Sequence, residues 1–175
     1  MAEALITIRH ARDGDATDIA NVHDSAWRDA YRGVIPGREL ERMVARRGPN
    51  WWQAAIRHSS LRNGSRLLVL DFDDSIGGYV SYGRNRVPAL PYQSEVFELY
   101  LAPEFQGMGF GRRLFSNARR DLSENGYGST LVWALSDNER AVAFYQHLGG
   151  RLIRKAHERF GDEMRGRVAF AFDQA

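Results

Sequence analysis

Residues 106–111 read Gln-Gly-Met-Gly-Phe-Gly, with three glycines at alternate positions. The run Glu95–Leu101 before them is strand-like, and Leu114, Phe115, Ala118 and Leu122 after them share one helical face. A strand, a glycine turn and a helix in that order make an anion site. The helix start presents unpaired N–H groups and the positive end of its dipole. Glycine lets the chain turn tightly and lets amides approach an anion with no Cβ between them. Each charge-assisted hydrogen bond to a phosphate is worth about 1.5–3 kcal/mol. Arg112 and Arg113 follow the turn and could add charge from a distance. The Walker pattern needs Gly-Lys-Ser/Thr, and Lys155 is the only lysine, so that pattern is excluded. The spacing is also not the Gly-x-Gly-x-x-Gly of dinucleotide sites. Taken alone, the glycines would equally suit a purely structural turn.

Other chemistry is bounded by what the chain lacks. There is no cysteine among its 175 residues. That rules out disulfides, thiolate metal sites and a cysteine nucleophile. His10, His23, His58, His147 and His157 are scattered without metal-ligand spacing. The formal net charge is only +2, which does not suit a nucleic-acid protein despite the many arginines. Arg46-Arg47 and Arg119-Arg120 read as solvated helix faces. The sequence contains no apolar run of the length that spans a membrane. The opening Met1-Ala2-Glu3-Ala4-Leu5-Ile6 has neither the basic start nor the apolar stretch of a signal peptide. A cytoplasmic location is expected.

The elements that must position the turn follow from periodicity. Leu5 to Arg9 alternates as a strand. Asp13 and Asp15 offer caps to a helix with Ile19, Val22, His23, Ala26, Trp27, Ala30 and Tyr31 on one face, ended by Gly33. Pro36 suits the first turn of a second helix with Leu40, Met43 and Val44 inward. A third spans Trp51 to His58. Arg66–Phe72 and Ile76–Tyr82 read as a hairpin across Asp73-Asp74, and Arg84–Pro91 as a loop. In Glu95–Leu101, alternation predicts Val96, Glu98 and Tyr100 on one face and Phe97, Leu99 and Leu101 on the other, with Glu95 facing away from Glu98. Asn125-Gly126 stops the helix after the glycine turn. Thr130–Leu135 is a strand, and Ser136 with Glu139 makes a capping box for a helix carrying Ala141, Phe144, Tyr145 and Leu148. Leu152–Ala156 and Arg167–Phe172 close the chain as paired strands. The order predicts one α+β domain over residues 1–175, with a right-handed parallel crossover between Glu95–Leu101 and Thr130–Leu135.

Gln106–Gly111 resembles the Gln/Arg-x-x-Gly-x-Gly/Ala signature of the GNAT family of N-acetyltransferases. Glu98-Leu99-Tyr100-Leu101-Ala102-Pro103 is similar to that family's preceding strand. Asn138 to Tyr145, continued by Leu148-Gly149-Gly150, is similar to its later motif, and Trp27, Tyr31-Arg32-Gly33 and Ile35-Pro36 to its first helices. The resemblance spans essentially the whole chain. It implies a three-layer α/β/α fold whose mixed, mostly antiparallel sheet splays at its centre to admit coenzyme A. Acetyl-coenzyme A is then the implied acyl donor, with no metal. Carried over, the backbone of Tyr100 and Leu101 holds the pantetheine. Gln106 opens a loop in which the amides of Gly107, Met108, Gly109, Phe110, Gly111 and Arg112 hold the pyrophosphate, and Asn138 sits beside the pantetheine. Glu98 stands at the family's frequent general-base position and Tyr145 at that of its general acid. Trp27 and Tyr31 fall where acceptors are lined, and His23 lies one turn away.

Each role has a plainer competitor. Glu98 could simply pair with an arginine. Tyr145, Trp27 and Tyr31 could be core aromatics at helical spacing. The activity implied is acetyl transfer to a primary amine, of a small molecule or a peptide, by direct attack in a ternary complex. The alternative is a non-catalytic acyl-coenzyme A-binding or regulatory domain, and retention of both Glu98 and Tyr145 speaks against it. Partners such as nucleic acid or a membrane are not expected. Members of the family often form homodimers, which this sequence neither requires nor forbids.

Overall fold

The computed structural model describes residues 5–174. The segment Met1–Ala4, within which the missing basic start was read, lies outside them, as does Ala175. The chain runs β1 (Ile6–His10), α1 (Ala16–Tyr31), α2 (Gly37–Ala45), α3 (Pro49–Arg57), β2 (Ser65–Phe72), β3 (Ser75–Arg84), β4 (Ser94–Leu101), α4 (Phe110–Glu124), β5 (Thr130–Leu135), α5 (Glu139–His147), β6 (Arg151–Phe160) and β7 (Glu163–Phe172). The seven strands form one sheet in the order β1-β2-β3-β4-β5-β7-β6. Among the described strands only β4 and β5 are parallel neighbours, joined by the α4 crossover. This is the α+β arrangement expected. No helix of the described residues is long and apolar enough to cross a membrane.

Each face of the sheet is covered because its strands are apolar on that face. Val80, Tyr82 and Val96 pack with Leu114, Ala118 and Leu122 of α4 and with Phe170. On the other face Leu67, Val69 and Tyr79 meet Ile19 and Val22 of α1 and Trp52 and Ile56 of α3. A third cluster joins Trp27, Tyr31, Leu40 and Val44 to Leu135 and Phe160. Fully burying a leucine such as Leu114 contributes about 1.5–3 kcal/mol.

Two strand features shape the site. β4 and β5 pair only at Ser94–Thr130, Glu95–Leu131 and Val96–Val132. From Phe97 and Trp133 onward they diverge, so the sheet opens as a wedge. Second, β4 carries a bulge: Ser81 faces Glu98 while Tyr82 faces Val96, leaving Phe97 as the extra residue. A one-residue slip reverses the faces. Val96 therefore joins the α4 core, while Glu98 and Tyr100 stay on the α1 side with Tyr79. Simple alternation fails here, and Glu95 falls on the same face as Glu98 rather than the opposite one.

Local signals were moved by a residue or two. Pro36 precedes α2 as its cap instead of lying in its first turn, whereas Pro49 does open α3. The expected Ser136–Glu139 box is replaced by Asn138, whose side chain accepts from the Ala141 amide at 3.2 Å. Asp15 caps α1 by position, but its carboxylate accepts from Arg9 at 2.7 and 3.0 Å and from the Arg12 amide at 2.7 Å. β6 and β7 are ten residues each, longer than the final strands expected.

Candidate active site

The wedge between β4 and β5 holds a cavity of about 860 Å3. Its walls are residues 97–101 of β4, Trp133 and Ala134 of β5, the start of α4 and the inner face of α5. Past Val96 the β4 backbone has no β5 partner, so the β5-side edge groups of Leu99 and Leu101 lie along the opening without a strand to pair with.

The glycine turn stands at one mouth. Gly107 and Gly109 take φ of 75° and 80°, the left-handed region that side chains avoid. Gly109 is the residue before α4, and no side chain caps that helix start. The first α4 amides thus lack intrahelical partners and lie beside Gly107, Gly109, Gly111 and Arg112 on the cavity wall. Met108 points to solvent and Phe110 into the α4 core, so neither side chain lines the cavity. Gln106 locks the turn: its Nε2 donates to the Leu101 carbonyl at 3.1 Å, and its Oε1 accepts from Arg140. Arg140 also donates to Asp29 of α1 at 3.0 Å. This Gln106–Arg140–Asp29 bridge went unread in the sequence, because its members are far apart along the chain.

Tyr145 lines the cavity from α5, its ring packed on Phe144 at 5.1 Å, Phe115 at 5.9 Å and Phe170 at 6.1 Å. Burial pushes its hydroxyl above the usual tyrosine range, so it stays protonated at neutral pH. Asn138 sits at the same wall as the α5 cap.

Glu98 lines the cavity from β4. Its carboxylate is held by Arg47 and accepts from the Tyr79 hydroxyl at 3.3 Å. Tyr79 is also 2.9 Å from His23 Nδ1. With the Tyr79 proton directed to Glu98, His23 Nδ1 donates to Tyr79; with that proton directed to His23, Nδ1 accepts it. His23 is fully buried, Nε2 has no partner among the described residues, and burial followed by the Arg47 charge pushes its pKa down to about 3. Arg47 is thus no freely solvated charge, and Arg119 is partly buried, with its guanidinium over Phe172 at 5.4 Å and Nη2 donating to the Asp173 carbonyl. Arg47 was invisible to sequence reasoning; the only hint is the Trp51-Trp52 pair just after it.

The His23 shift has a sign. The unfolded chain protonates this ring below about 6.5, while the folded state resists until about 3. Stability contributed by the neutral ring is therefore full above about pH 6.5 and is lost as pH falls toward 3. The loss is up to about 1.4 kcal/mol per pH unit. Urea unfolding at pH 7 and pH 5 should show this fall in the wild type and a smaller one in His23→Gln. Equal falls would show that His23 is not the group responsible.

Tyr31 and Trp27 part company. Tyr31 lines the cavity and its hydroxyl is 2.6 Å from that of Tyr100. Trp27 lies behind it, packed on His23 at 4.8 Å and Tyr31 at 5.2 Å and outside the cavity wall.

Comparison with known proteins agrees with this architecture. The model of the acetyltransferase (GNAT) family matches residues 19–150. An uncharacterised N-acetyltransferase of Bacillus subtilis, YuaI, is 30% identical over 142 residues, covering 81% of this chain and 78% of its own. Among solved structures, the PaiA N-acetyltransferase of Thermoplasma acidophilum, in complex with coenzyme A, superposes with a TM-score of 0.76 at 18% identity, covering 93% of this chain and 98% of that one. YncA of Salmonella typhimurium, solved with acetyl-CoA, superposes with a TM-score of 0.67 at 20% identity, covering 97% and 94%.

Proposed function

The chain belongs to the acetyltransferase (GNAT) family, and from that premise we propose that it moves an acetyl group from acetyl-coenzyme A to a primary amine, of a small molecule or a peptide, as one domain over residues 1–175. The observation that carries this reading is the wedge itself: a glycine-capped helix start at its mouth, with Glu98 and Tyr145 on its walls. A domain that only bound the donor would have no use for both groups in one cavity.

In this reading the amides of Gly107–Arg112 hold the pyrophosphate, with Met108 and Phe110 acting through backbone alone. Gln106 keeps the turn in place. The β4 backbone at Tyr100 and Leu101, on the side left without a β5 partner, hydrogen-bonds the pantetheine as a missing strand would, with Asn138 beside it. The acceptor approaches past Tyr31, with Trp27 backing that ring. Its amine, with a pKa of about 10.4, is mostly charged at pH 7. Glu98 draws the ammonium in and takes its proton, directly or through a water. The free amine attacks the thioester carbonyl, and an N–H near Leu101 stabilises the oxyanion. The C–S bond then breaks as Tyr145 gives its proton to the sulfur, and the second proton, leaving the nitrogen as the amide forms, returns through water to restore the tyrosine while Glu98 releases its own proton to solvent. Moving a proton from an ordinary tyrosine to a thiolate near 8.5 is uphill by about 2 kcal/mol. Burial of Tyr145 steepens that climb, so its transfer must coincide with sulfur departure. With no cysteine to carry the acetyl group, transfer is direct within a ternary complex.

The test is coenzyme A release with Glu98→Gln. The expected result is a kcat/KM for the amine about 100-fold below wild type, with acetyl-CoA affinity kept. A variant within threefold or so of wild type would remove Glu98 from the chemistry.

A further inference from the structure

Glu98 does not stand free to meet an amine. Arg47 Nη1 donates to it, and the two side chains are 30% and 14% exposed. Arg47 comes from the turn between α2 and α3, outside both helices. Its guanidinium lies over the Trp51 ring at 4.7 Å and over Trp27 at 5.9 Å. Among the described residues its hydrogen bonds go to Glu98 alone. An acceptor ammonium and Arg47 therefore compete for the same carboxylate. A guanidinium has five N–H donors in a planar fork suited to a carboxylate or phosphate, and Arg47 commits one.

Two more arginines flank the opening, while the cavity wall itself carries Asp29, Asp137 and Glu139 beside Arg112 and Arg140. Phe97 and Trp133 are the first residues past the last β4–β5 pair, and both line the cavity. Arg86 lies 4.0 Å over Phe97 and Arg167 4.2 Å over Trp133. Arg86 is committed to Glu95 at 2.8 Å, whereas Arg167 reaches Glu158 only at 3.7 Å. Arg47 and Arg86 are each held by a carboxylate, and Arg167 has the loosest partner of the three. An amine that carries its own anion brings a partner for one of them.

We infer that the acceptor is an amine bearing a carboxylate or phosphate, and that this anion draws Arg47 off Glu98 as the amine arrives, so that the substrate releases its own base. The inference rests on the acetyl-transfer reading above. Arg47 acts here as a specificity and positioning residue, since it touches the acceptor without taking part in proton transfer.

The test uses matched acceptors: phenylalanine against phenethylamine, lysine against cadaverine, and phosphoethanolamine against ethanolamine. The first two pairs report a carboxylate and the third a phosphate. The wild type should favour the anionic member of at least one pair by about tenfold or more in kcat/KM. Arg47→Gln should lower kcat/KM for that member by about 10–100-fold, chiefly through KM, and raise it for the plain amine. Arg47→Lys should keep part of the preference, because charge survives and the fork does not. Preference for the plain amine in every pair, or a parallel loss for both members in Arg47→Gln, would overturn the inference. If no member is acetylated, the acceptor class is wrong. Whether acetyl-CoA stabilises the wild type then decides separately whether the broader reading stands.

Discussion

Gly109→Asp should abolish acetyl-CoA binding while leaving a folded protein. Gly109 precedes α4 with φ 80°, and a Cβ built there meets nothing within 4 Å. The new side chain clashes with no neighbour, so the fold loses only the cost of a left-handed backbone, about 1–2 kcal/mol. The carboxylate, however, competes for the helix-start amides that the proposed function gives to the pyrophosphate, and repels that group. Losing two or more such hydrogen bonds costs about 3 kcal/mol or more, a Kd raised more than about 100-fold. Gly109→Ala is the matched control: it keeps the backbone cost without the charge and should bind with intermediate affinity. Titration calorimetry separates the three proteins. A Gly109→Asp affinity within about threefold of wild type would mean that the turn is architecture and holds no phosphate.

The second large effect is expected at Tyr145. Tyr145→Phe keeps the ring on Phe115, Phe144 and Phe170 and removes only the hydroxyl. Stability should change by less than about 1 kcal/mol. If the hydroxyl protonates the departing sulfur, kcat falls by about 100-fold or more with KM for acetyl-CoA nearly unchanged. Burial raises the Tyr145 pKa, so its ionisation cannot cause a loss of activity below the usual tyrosine range. A high-pH limb falling near pH 8 must therefore belong to another group. Unchanged kcat in Tyr145→Phe would make this residue a core aromatic.

The elements that carry these two positions were legible because their signals are local, although the role of Tyr145, like that of Glu98, came from family resemblance. The Gly107–Gly111 spacing, the Leu114–Leu122 stripe and the α5 face bearing Tyr145 can all be read within one turn or one helix. The α4 and α5 apolar stripes then predict which wall each element forms. What escaped depends on partners distant in the chain. The β4 bulge exists only against β3, so alternation put Val96 on the wrong face and separated Glu95 from Glu98. Arg47 meets Glu98 across 51 positions, and next to Arg46 it looked like one of a solvated pair. Asn138 displaced Ser136 as the α5 cap because the β5 strand ends at Leu135 and the chain needs two further residues to turn. Glu98 itself was found through family resemblance; nothing in its own strand pattern separates a base from a buried ion-pair partner.

The wedge links these observations to function. A parallel pair that stops after three residues leaves β4 edge groups unpaired in the middle of a sheet, and unpaired backbone in a cavity calls for a partner. In the proposed reading an extended amide chain such as pantetheine supplies one, and the glycine turn receives its phosphates at the mouth. The most direct test is thermal unfolding of the wild type with acetyl-CoA, ATP or NAD, each at about 1 mM. If acetyl-CoA binds near 10 μM, it stabilises by about 2.7 kcal/mol. That predicts a Tm raised by about 5–10 °C for a chain of this size, with ATP and NAD leaving it in place. A Tm unmoved by acetyl-CoA, or moved equally by all three, would contradict the assignment of the wedge as a coenzyme A site.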